Sequence, residues 1–411
     1  MNEILTQLAG RIGERPIGTD GNQAALDLVT ARARELGYQV DAIPLACRTW
    51  RRGRSFLELG GERLTIHPGP FSAPAVGSFP VRTAGSLEEL ERRDLEGAVV
   101  LLHGPLAAEP LMPKEFPFYY PDEHRRIVEL LEERRPAAVV ALTGKHPMSG
   151  QDPHPLFEDG ALAFPNAYAS CDSVEVECLH SEPHERTARI GIDSASADAE
   201  SRQPVFTRPG PDPAIVVCAH IDTKYGTPGA IDNAAGVAAM FGVMERLRGV
   251  ELGCRVDFVP FNGEEYYGVP GQLAYLAARK PAPANTRLVV NLDGLGYPGS
   301  RNAVSRYNAG DELNALVKRA LRAADRATPG DEWVAGDHSM FVFAGIPCVA
   351  VTSSTMHEML AVTHTEADTT DKVDPSLLAA AADLVTMLIR GAAAHPARDR
   401  AEPRVGDGTV P

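Results

Sequence analysis

Two adjacent glutamates, Glu264 and Glu265, follow the apolar run CRVDFV in the segment PFNGEEYYG. In an extended strand their side chains would point to opposite faces, so the preceding Gly263 favours a turn that brings both carboxylates towards one point. Acids are also common at helix N-termini, where the helix dipole stabilises each by about 0.3–1 kcal/mol. The pair alone therefore does not distinguish a chemical site from a helix start.

Other polar residues stand at the ends of apolar runs or in the loops that follow them. His220 and Asp222 end the run AIVVCAHID, and two residues of separation place them on one face if the strand continues. Asp232 lies in GAIDNAAG, Asp293 ends RLVVNLD, and His364 lies in the polar loop VTHTEAD. Each has an ordinary structural explanation: a satisfied strand-end histidine, a helix N-cap, an Asp-Gly turn or a surface histidine.

Together these segments deliver His, Asp, Glu-Glu, Asp and His in sequence. The carboxyl ends of parallel strands meet at one edge of a sheet, which is where such folds place their sites. Two histidines and three carboxylates, one of them bridging, suit a two-metal hydrolase that uses a borderline metal such as Zn²⁺. The remaining glutamate would then take a proton from the attacking water and pass it to the leaving amine.

The elements that must position these residues alternate regularly after residue 213. Amphipathic helices separate four nearly continuous apolar strands, AIVVCAH, CRVDFVPF, TRLVVNLDG and IPCVAVTSS. This pattern predicts an α/β fold with a mostly parallel sheet that is covered on both faces. Helical periodicity over residues 3–12 and 22–36 precedes it, and Gly37 suggests the end of the second helix.

Between these helices and the region of alternating strands and helices, the composition of the sequence changes. Residues 46–205 are richer in Pro and Gly and contain short apolar runs, which predicts a smaller inserted α/β or β-rich module. The remaining segments, 1–45 and 206–395, would form the catalytic domain. Residues 396–411 are polar and predict a disordered tail.

Composition limits the possible partners and compartment. The chain has 411 residues, 55 acidic and 40 basic, with a formal charge of −15 and no basic block, which argues against nucleic acid or a membrane surface as partner. The N-terminus has no long apolar run, so we expect neither a signal peptide nor a membrane span. Six cysteines without CxxC spacing suggest a reducing compartment, the cytoplasm. The oligomeric state is not predicted.

A family resemblance follows from the joint motif. The segments AHIDT, PGAIDNAAG, FNGEEYYG, NLDG, GDHSMFVFAGIP and HTEADT resemble, in the same order, those of the co-catalytic di-zinc aminopeptidases, which include bacterial leucyl aminopeptidases and relatives of glutamate carboxypeptidase II. The matching segments spread over residues 214–375. The resemblance implies a zinc aminopeptidase-like fold, and residues 46–205 resemble the protease-associated module that many members insert.

The resemblance also implies a ligand set for two zinc ions per chain: His220, Asp232, Glu265, Asp293 and His364. Asp232 would bridge the ions and share the first with His220 and Asp293. Glu265 and His364 would complete the second. Glu264 would be the general base, and Asp222 would orient His220. A cis peptide bond often follows the bridging Asp in this family, so one is expected between Asp232 and Asn233.

One feature departs from the family pattern. Secreted bacterial members carry a tyrosine before the last histidine that stabilises the oxyanion, and the segment AVTSSTMHEMLAVTH has none. Thr355 and His357 are candidate replacements, or the metals act alone. Asp337 and His338 are expected to support the site or begin a helix rather than bind metal.

The function that this resemblance implies is removal of the N-terminal residue from peptides by a two-zinc-activated water. An alternative is the same chemistry on a non-peptide aminoacyl or acyl amide, because the ligands define the reaction and not the substrate. A receptor-like binding protein without catalysis fits less well, since all five ligands and the base are present. Metal content would also separate a two-zinc enzyme from the one-zinc glutaminyl cyclases.

Overall fold

Two β-structures organise the chain, an eight-stranded sheet and a closed seven-stranded barrel. The computed structural model describes residues 1–394 except 115, 148, 159–161, 174–185, 267 and 334. The strands are β1 Gln39–Arg52, β2 Ser55–Leu59, β3 Glu62–Pro68, β4 Ala75–Ala84, β5 Val99–Leu102, β6 Ala138–Thr143, β7 Asn166–Ser170, β8 Thr187–Ile192, β9 Ser194–Arg208, β10 Ala214–His220, β11 Val256–Phe261, β12 Thr286–Leu292, β13 Asn302–Tyr307, β14 Ala327–Pro329 and β15 Cys348–Ser353.

The helices connect and cover these strands. The α-helices are α1 Asn2–Leu5, α2 Asp20–Glu35, α3 Leu87–Arg92, α4 Asp122–Arg134, α5 Ala235–Arg246, α6 Pro270–Arg279, α7 Asp311–Ala323, α8 Ser339–Phe343, α9 Met356–Leu360 and α10 Pro375–Ala394. Shorter helical turns are the π-helices Thr6–Ile12 and Ala230–Ala234 and the 3₁₀ turns Gly104–Ala107, Cys171–Ser173 and Thr370–Lys372.

The main sheet has the order β1-β9-β11-β10-β12-β15-β13-β14. Its four central strands, β11, β10, β12 and β15, run parallel to one another. Every residue of these strands except Arg287 is buried, because helices cover both faces. The prediction of a mostly parallel, doubly covered α/β sheet is confirmed, with antiparallel strands β9 and β13 flanking the parallel centre.

Alternate residues of β10 pack into two hydrophobic clusters on opposite faces of the sheet. Ile215 and Val217 face the cluster that includes α5 and α10, whereas Val216 and Cys218 face the cluster that includes α6 and α8. By length and composition, α10 could also cross a membrane. Its leucines, however, pack in the sheet core, as expected of a central helix in a globular domain.

The barrel is joined to the sheet by the long antiparallel ladder between β1 and β9. The ladder pairs Gln39 with Thr207 at one end and Arg52 with Ser194 at the other, and the barrel strands lie between these two residues in sequence. The predicted insert, residues 46–205, contains the barrel and also the outer part of the ladder. The domain boundaries themselves stay a prediction, and the predicted tail lies outside the described residues.

Candidate metal centre

Three neighbouring parallel strands deliver polar residues to the same edge of the main sheet. β10 ends at His220, β11 leads into the turn that carries Glu264 and Glu265, and β12 is followed directly by Asp293. Because β11, β10 and β12 are adjacent and parallel, these residues emerge side by side. The sequence-based expectation that one edge collects them agrees with this placement.

Asp232 lies at the centre of the cluster and faces two histidines with different oxygens. Its Oδ1 is 2.9 Å from His220 Nε2, and its Oδ2 is 2.9 Å from His364 Nε2. The side chain of His220 is almost completely buried, whereas that of His364 is 21% exposed. The centre is therefore open to solvent on the His364 side.

Each histidine has a second carboxylate neighbour. Asp293 Oδ1 lies 3.6 Å from His220 Nε2, and Glu265 Oε2 lies 3.3 Å from His364 Nε2. Ligand atoms of His220, Asp232 and Glu265 also lie within 4.8 Å of one another. The structure thus brings all five predicted ligands together as two three-residue groups that share Asp232.

The electrostatics of the cluster favour a cation. Burial would lower the pKa of His364, but Glu265 and Asp232 raise it to about 10. Burial likewise opposes the charged form of His220, yet Asp293 and Asp232 raise its pKa well above the usual range. Burial raises the pKa of Asp293 as well. Three buried carboxylates beside two imidazoles leave surplus negative charge, which a bound cation would neutralise.

The donor set fits zinc. Imidazole nitrogen and carboxylate oxygen are ligands that zinc takes in proteins. Glu265 adds a further observation, because its buried Oε1 has no hydrogen-bond partner within the described part of the chain. A buried carboxylate oxygen without a partner is costly unless a cation satisfies it.

Asp222 fixes the turn that carries the glutamate pair. Its Oδ1 accepts hydrogen bonds from the backbone amides of Gly263 at 2.9 Å and Glu264 at 3.1 Å, and its Oδ2 accepts from the amide of Glu265 at 3.2 Å. Its carbonyl oxygen, at 3.3 Å, lies closer to His220 Nδ1 than its carboxylate does, at 3.8 Å. The carboxylate therefore positions the glutamates more directly than it orients the histidine.

Gly263 is required for this turn. Its φ of +105° lies in the region that favours glycine, and a Cβ there would come within 2.8 Å of Ile17 and of Pro270. The glutamates precede α6 by several residues, so they are not its N-terminal acids. This excludes the ordinary helix-start explanation of the pair.

Glu264 lies beside the cluster and is half-buried. Burial raises its pKa well above the usual range, and Asp337 and Glu265 add to the rise while His220 opposes it. A carboxylate in such surroundings accepts a proton readily near neutral pH, which suits a general base.

The segment around Asp232 departs from regular helix. The Asp232–Asn233 peptide bond is cis, as the family resemblance led us to expect. Asp232 has φ −120° and ψ 89°, so it does not act as a simple helix N-cap. Asn233 donates to the carbonyl oxygen of Leu292 at 2.9 Å and thereby joins this segment to the end of β12.

Asp368 supports Asp232 and was not predicted. Its carboxylate accepts from the backbone amides of Ile231 at 2.7 Å and Asp232 at 3.1 Å. Burial raises the pKa of Asp368 to about 7. The only sequence signal was its place in HTEAD, four residues after a candidate ligand.

Arg15 supports the same region and was also missed. It is fully buried and donates to the carbonyl oxygens of Ile221 at 2.7 Å, Pro228 at 2.7 Å and Gly229 at 2.8 Å. These carbonyls belong to the loop between His220 and Asp232. Arg15 therefore fixes the path of the loop that spaces two of the candidate ligands.

The remaining candidates lie around the centre. His338 is buried, its Nε2 lies 2.9 Å from the carbonyl oxygen of Trp333, and burial lowers its pKa to about 4, so it is neutral and structural. Asp337 accepts from Gln272, and burial raises its pKa to about 7.

Thr355 Oγ1 is buried without a partner among the described residues, whereas His357 is exposed on α9. Whether Thr355 or His357 replaces the missing tyrosine, or the metals act alone, stays a prediction.

Comparison with known proteins agrees with this geometry. Residues 205–389 match the family described as Peptidase family M28. The match covers 185 of the 411 residues of the chain. The chain is also 26% identical over 243 residues to a protein of Arthroderma otae named "Probable leucine aminopeptidase", in an alignment that covers 54% of this chain and 68% of that protein.

Two solved structures share the fold over nearly the whole chain. An aminopeptidase from Aneurinibacillus sp. strain AM-1 matches with a TM-score of 0.76 and 18% identity, covering 98% of this chain and 96% of the other. A zinc aminopeptidase from Bacillus subtilis matches with a TM-score of 0.73 and 18% identity, covering 94% and 93%. The predicted resemblance to zinc aminopeptidases and the prediction of a metal-dependent peptidase are confirmed. The number of metal ions and the role of each residue stay predictions.

Proposed function

We propose that the chain is an aminopeptidase that binds two zinc ions and removes N-terminal residues from peptides. The observation that carries the two-ion count is the placement of Asp232, whose two oxygens face His220 and His364 separately. A carboxylate in this position suits a bridge between two ions. His220 and Asp293 would complete one ligand group, and Glu265 and His364 the other.

Zinc at these ligands would supply Lewis acidity and lower the pKa of a coordinated water. The chain's own contribution centres on Glu264. Its carboxylate would accept the proton of the attacking water and deliver it to the leaving amine. Asp222 holds the backbone of Glu264 and Glu265 through one carboxylate, so the base and its ligand neighbour keep a fixed relation.

The requirement for a free amine separates an aminopeptidase from other users of this chemistry. The test compares aminoacyl 4-nitroanilides with the same compounds blocked at the amine, using zinc-loaded protein. We expect hydrolysis of the free compounds and little or none of the blocked ones. Equal turnover of both series would favour the amidohydrolase alternative. No turnover of any substrate at full metal occupancy would favour a binding protein.

The compartment also belongs to this proposal. The five cysteines within the described residues, Cys47, Cys171, Cys218, Cys254 and Cys348, are all free. Free cysteines suit a reducing compartment, and the cytoplasm is therefore proposed. The proposed architecture is a catalytic domain of residues 1–45 and 206–395 that is interrupted by the insert at 46–205.

A further inference from the structure

A cavity of about 1010 Å³ lies where the barrel meets the metal-binding edge of the main sheet. We call it the junction cavity. Its barrel wall includes residues of β2 and β3 and the loop 150–153, and its opposite wall consists of Tyr225, Gly226 and residues 364–366. Its volume is at the upper end of the range of about 300–1,000 Å³ that is typical of small-ligand sites.

The junction cavity adjoins the candidate metal centre, because His364 contributes to both. The barrel loop that forms one wall is attached to the catalytic side at two points. Gln151 Nε2 donates to the carbonyl oxygen of His364 at 3.3 Å, and the buried Lys224 Nζ lies 2.5 Å from Glu158 Oε2. A substrate held at the metal centre can therefore extend into a cavity whose walls are fixed.

Charged residues of both signs line this cavity. Arg52, Arg54 and Arg63 line it, against the two acids Asp152 and Glu366. Arginine side chains bind carboxylates through paired N–H donors, so these three are the candidate anion-binding groups of the cavity.

Two of these arginines are available to a ligand. Arg63 is paired with Glu58 at 2.9 Å and lies 3.9 Å from the ring of Phe56. Arg52 donates to the carbonyl oxygen of Tyr225 at 3.5 Å and lies 5.9 Å from the ring of Trp50. Neither Arg52 nor Arg54 forms an ion pair with any residue that the structure describes. An unpaired guanidinium offers a planar fork of donors that matches a carboxylate.

We propose that the junction cavity binds the C-terminal carboxylate of a short peptide substrate through Arg52 and Arg54. The inference rests on the proposed aminopeptidase function and deepens it. Hydrolysis occurs at the N-terminus, so a short peptide with its scissile bond at the metal centre places its other end in the cavity. The enzyme would then prefer short peptides with a free carboxylate over long peptides and over amides.

The test measures kcat and KM of zinc-loaded wild type on Leu-Gly-Gly, on its C-terminal amide and on leucine 4-nitroanilide, which has no carboxylate. We expect kcat/KM for the free acid to exceed that for the amide by about five- to tenfold, mainly through KM. The double variant Arg52→Gln/Arg54→Gln should lose this preference and hydrolyse the anilide at the wild-type rate. Arg52→Lys should retain part of the preference, since the charge remains without the fork.

Arg319→Gln, an exposed arginine on α7, is the matched control and should keep the full preference. Leu-Gly-Glu-amide has a carboxylate on its last side chain but none at its C-terminus. If this compound were hydrolysed as efficiently as Leu-Gly-Gly, the assignment of the site to the C-terminal carboxylate would be overturned. Equal kcat/KM values for the acid and the amide would overturn the inference, and so would a preference for the acid that survives in the double variant. In both cases, turnover of the anilide would leave the aminopeptidase function intact. Absence of anilide turnover would instead overturn the proposed function and the inference with it.

Discussion

The main sheet and the barrel both contain parallel strands that are buried along their whole length, but the strands end in different ways. β10 in the sheet and β6 in the barrel are buried at every position. After β10, His220 faces carboxylates from other segments. At the end of β6, Thr143 donates to the carbonyl oxygen of His154 at 2.6 Å, and the ring of His154 contacts the carbonyl of Gly144 at 2.7 Å.

The difference lies in how the polar residues after each strand are satisfied. In the barrel, Thr143 and the Nδ1 atom of His154 contact backbone carbonyls of the loop that follows β6. In the sheet, acids and histidines from separate loops face one another, while Asp222, Asp368 and Arg15 satisfy the backbone beneath them. A buried parallel strand thus provides an edge, and the residues that follow it decide whether the edge becomes a site.

The largest effect is expected at the base. Glu264→Gln removes the group that accepts the proton but keeps the shape of the side chain, so kcat should fall by about 10²–10⁴-fold with metal content unchanged. Steady-state kinetics and elemental analysis of the same preparation measure both. Glu312→Gln, an exposed acid on α7, is the control and should behave as wild type. Near-normal turnover by Glu264→Gln would show that the role assigned to this residue is wrong.

The next effect is expected in metal binding. Wild type should saturate at about two zinc ions per chain, and Glu265→Ala should fall to about one or fewer, because one ligand group loses a member. Elemental analysis after gel filtration gives the ratio. Chelation should also lower the melting temperature of wild type, since the ions bind the folded state. Saturation of wild type at about one ion would refute the two-zinc proposal.

Substitution of Asp222 should lower the stability of the folded protein. Asp222→Ala leaves three backbone amides in the glutamate turn without an acceptor, so the free energy of unfolding should fall by about 2–4 kcal/mol. Asp222→Asn retains one oxygen and should cost less. Urea denaturation of the zinc-free proteins measures this without a contribution from metal. Equal midpoints for Asp222→Ala and wild type would contradict the role of the carboxylate in fixing the turn.

The smallest effect is expected in the barrel. Thr143→Val removes the hydroxyl hydrogen bond to the loop, at a cost of about 1 kcal/mol in the free energy of unfolding. kcat on an aminoacyl anilide should be unchanged, because this strand end takes no part in the reaction. A clear fall in kcat for Thr143→Val would remove the distinction between the two edges.

Sequence alone was sufficient to predict the parallel centre of the main sheet. β10 coincides with the predicted run AIVVCAH, because a continuous apolar run is a local signal. The edge that collects His220, the glutamate pair and Asp293 could be predicted because the carboxyl ends of parallel strands converge. The assignment of five residues as ligands came from the family resemblance and stays a prediction. The long ladder of β1 and β9 was not predicted as sheet, since much of β1 is exposed and its sequence carries no continuous apolar face.

The hydrogen bonds that support the candidate site could not be predicted from the sequence, for a physical reason. Arg15 binds backbone carbonyls more than 200 positions away in the chain, and a carbonyl has no residue-type signature. Asp222 was predicted to orient His220, but its hydrogen bonds to three amides depend on the conformation of the turn at Gly263. The type of a residue indicates which chemistry its side chain can perform, so candidate site residues could be predicted. A hydrogen bond to the backbone depends on the backbone conformation, so these contacts could not.

The ladder of β1 and β9 has a consequence for the modular evolution of the chain. The polypeptide leaves the main sheet at Arg52 and returns at Ser194, and these two residues are direct partners in the antiparallel register. The gap between them is therefore only as wide as a β-hairpin, which a two-residue turn can close. An ancestor could gain, lose or exchange the whole barrel at this point without shifting the register of the sheet, and its metal-binding edge would keep its geometry through the exchange.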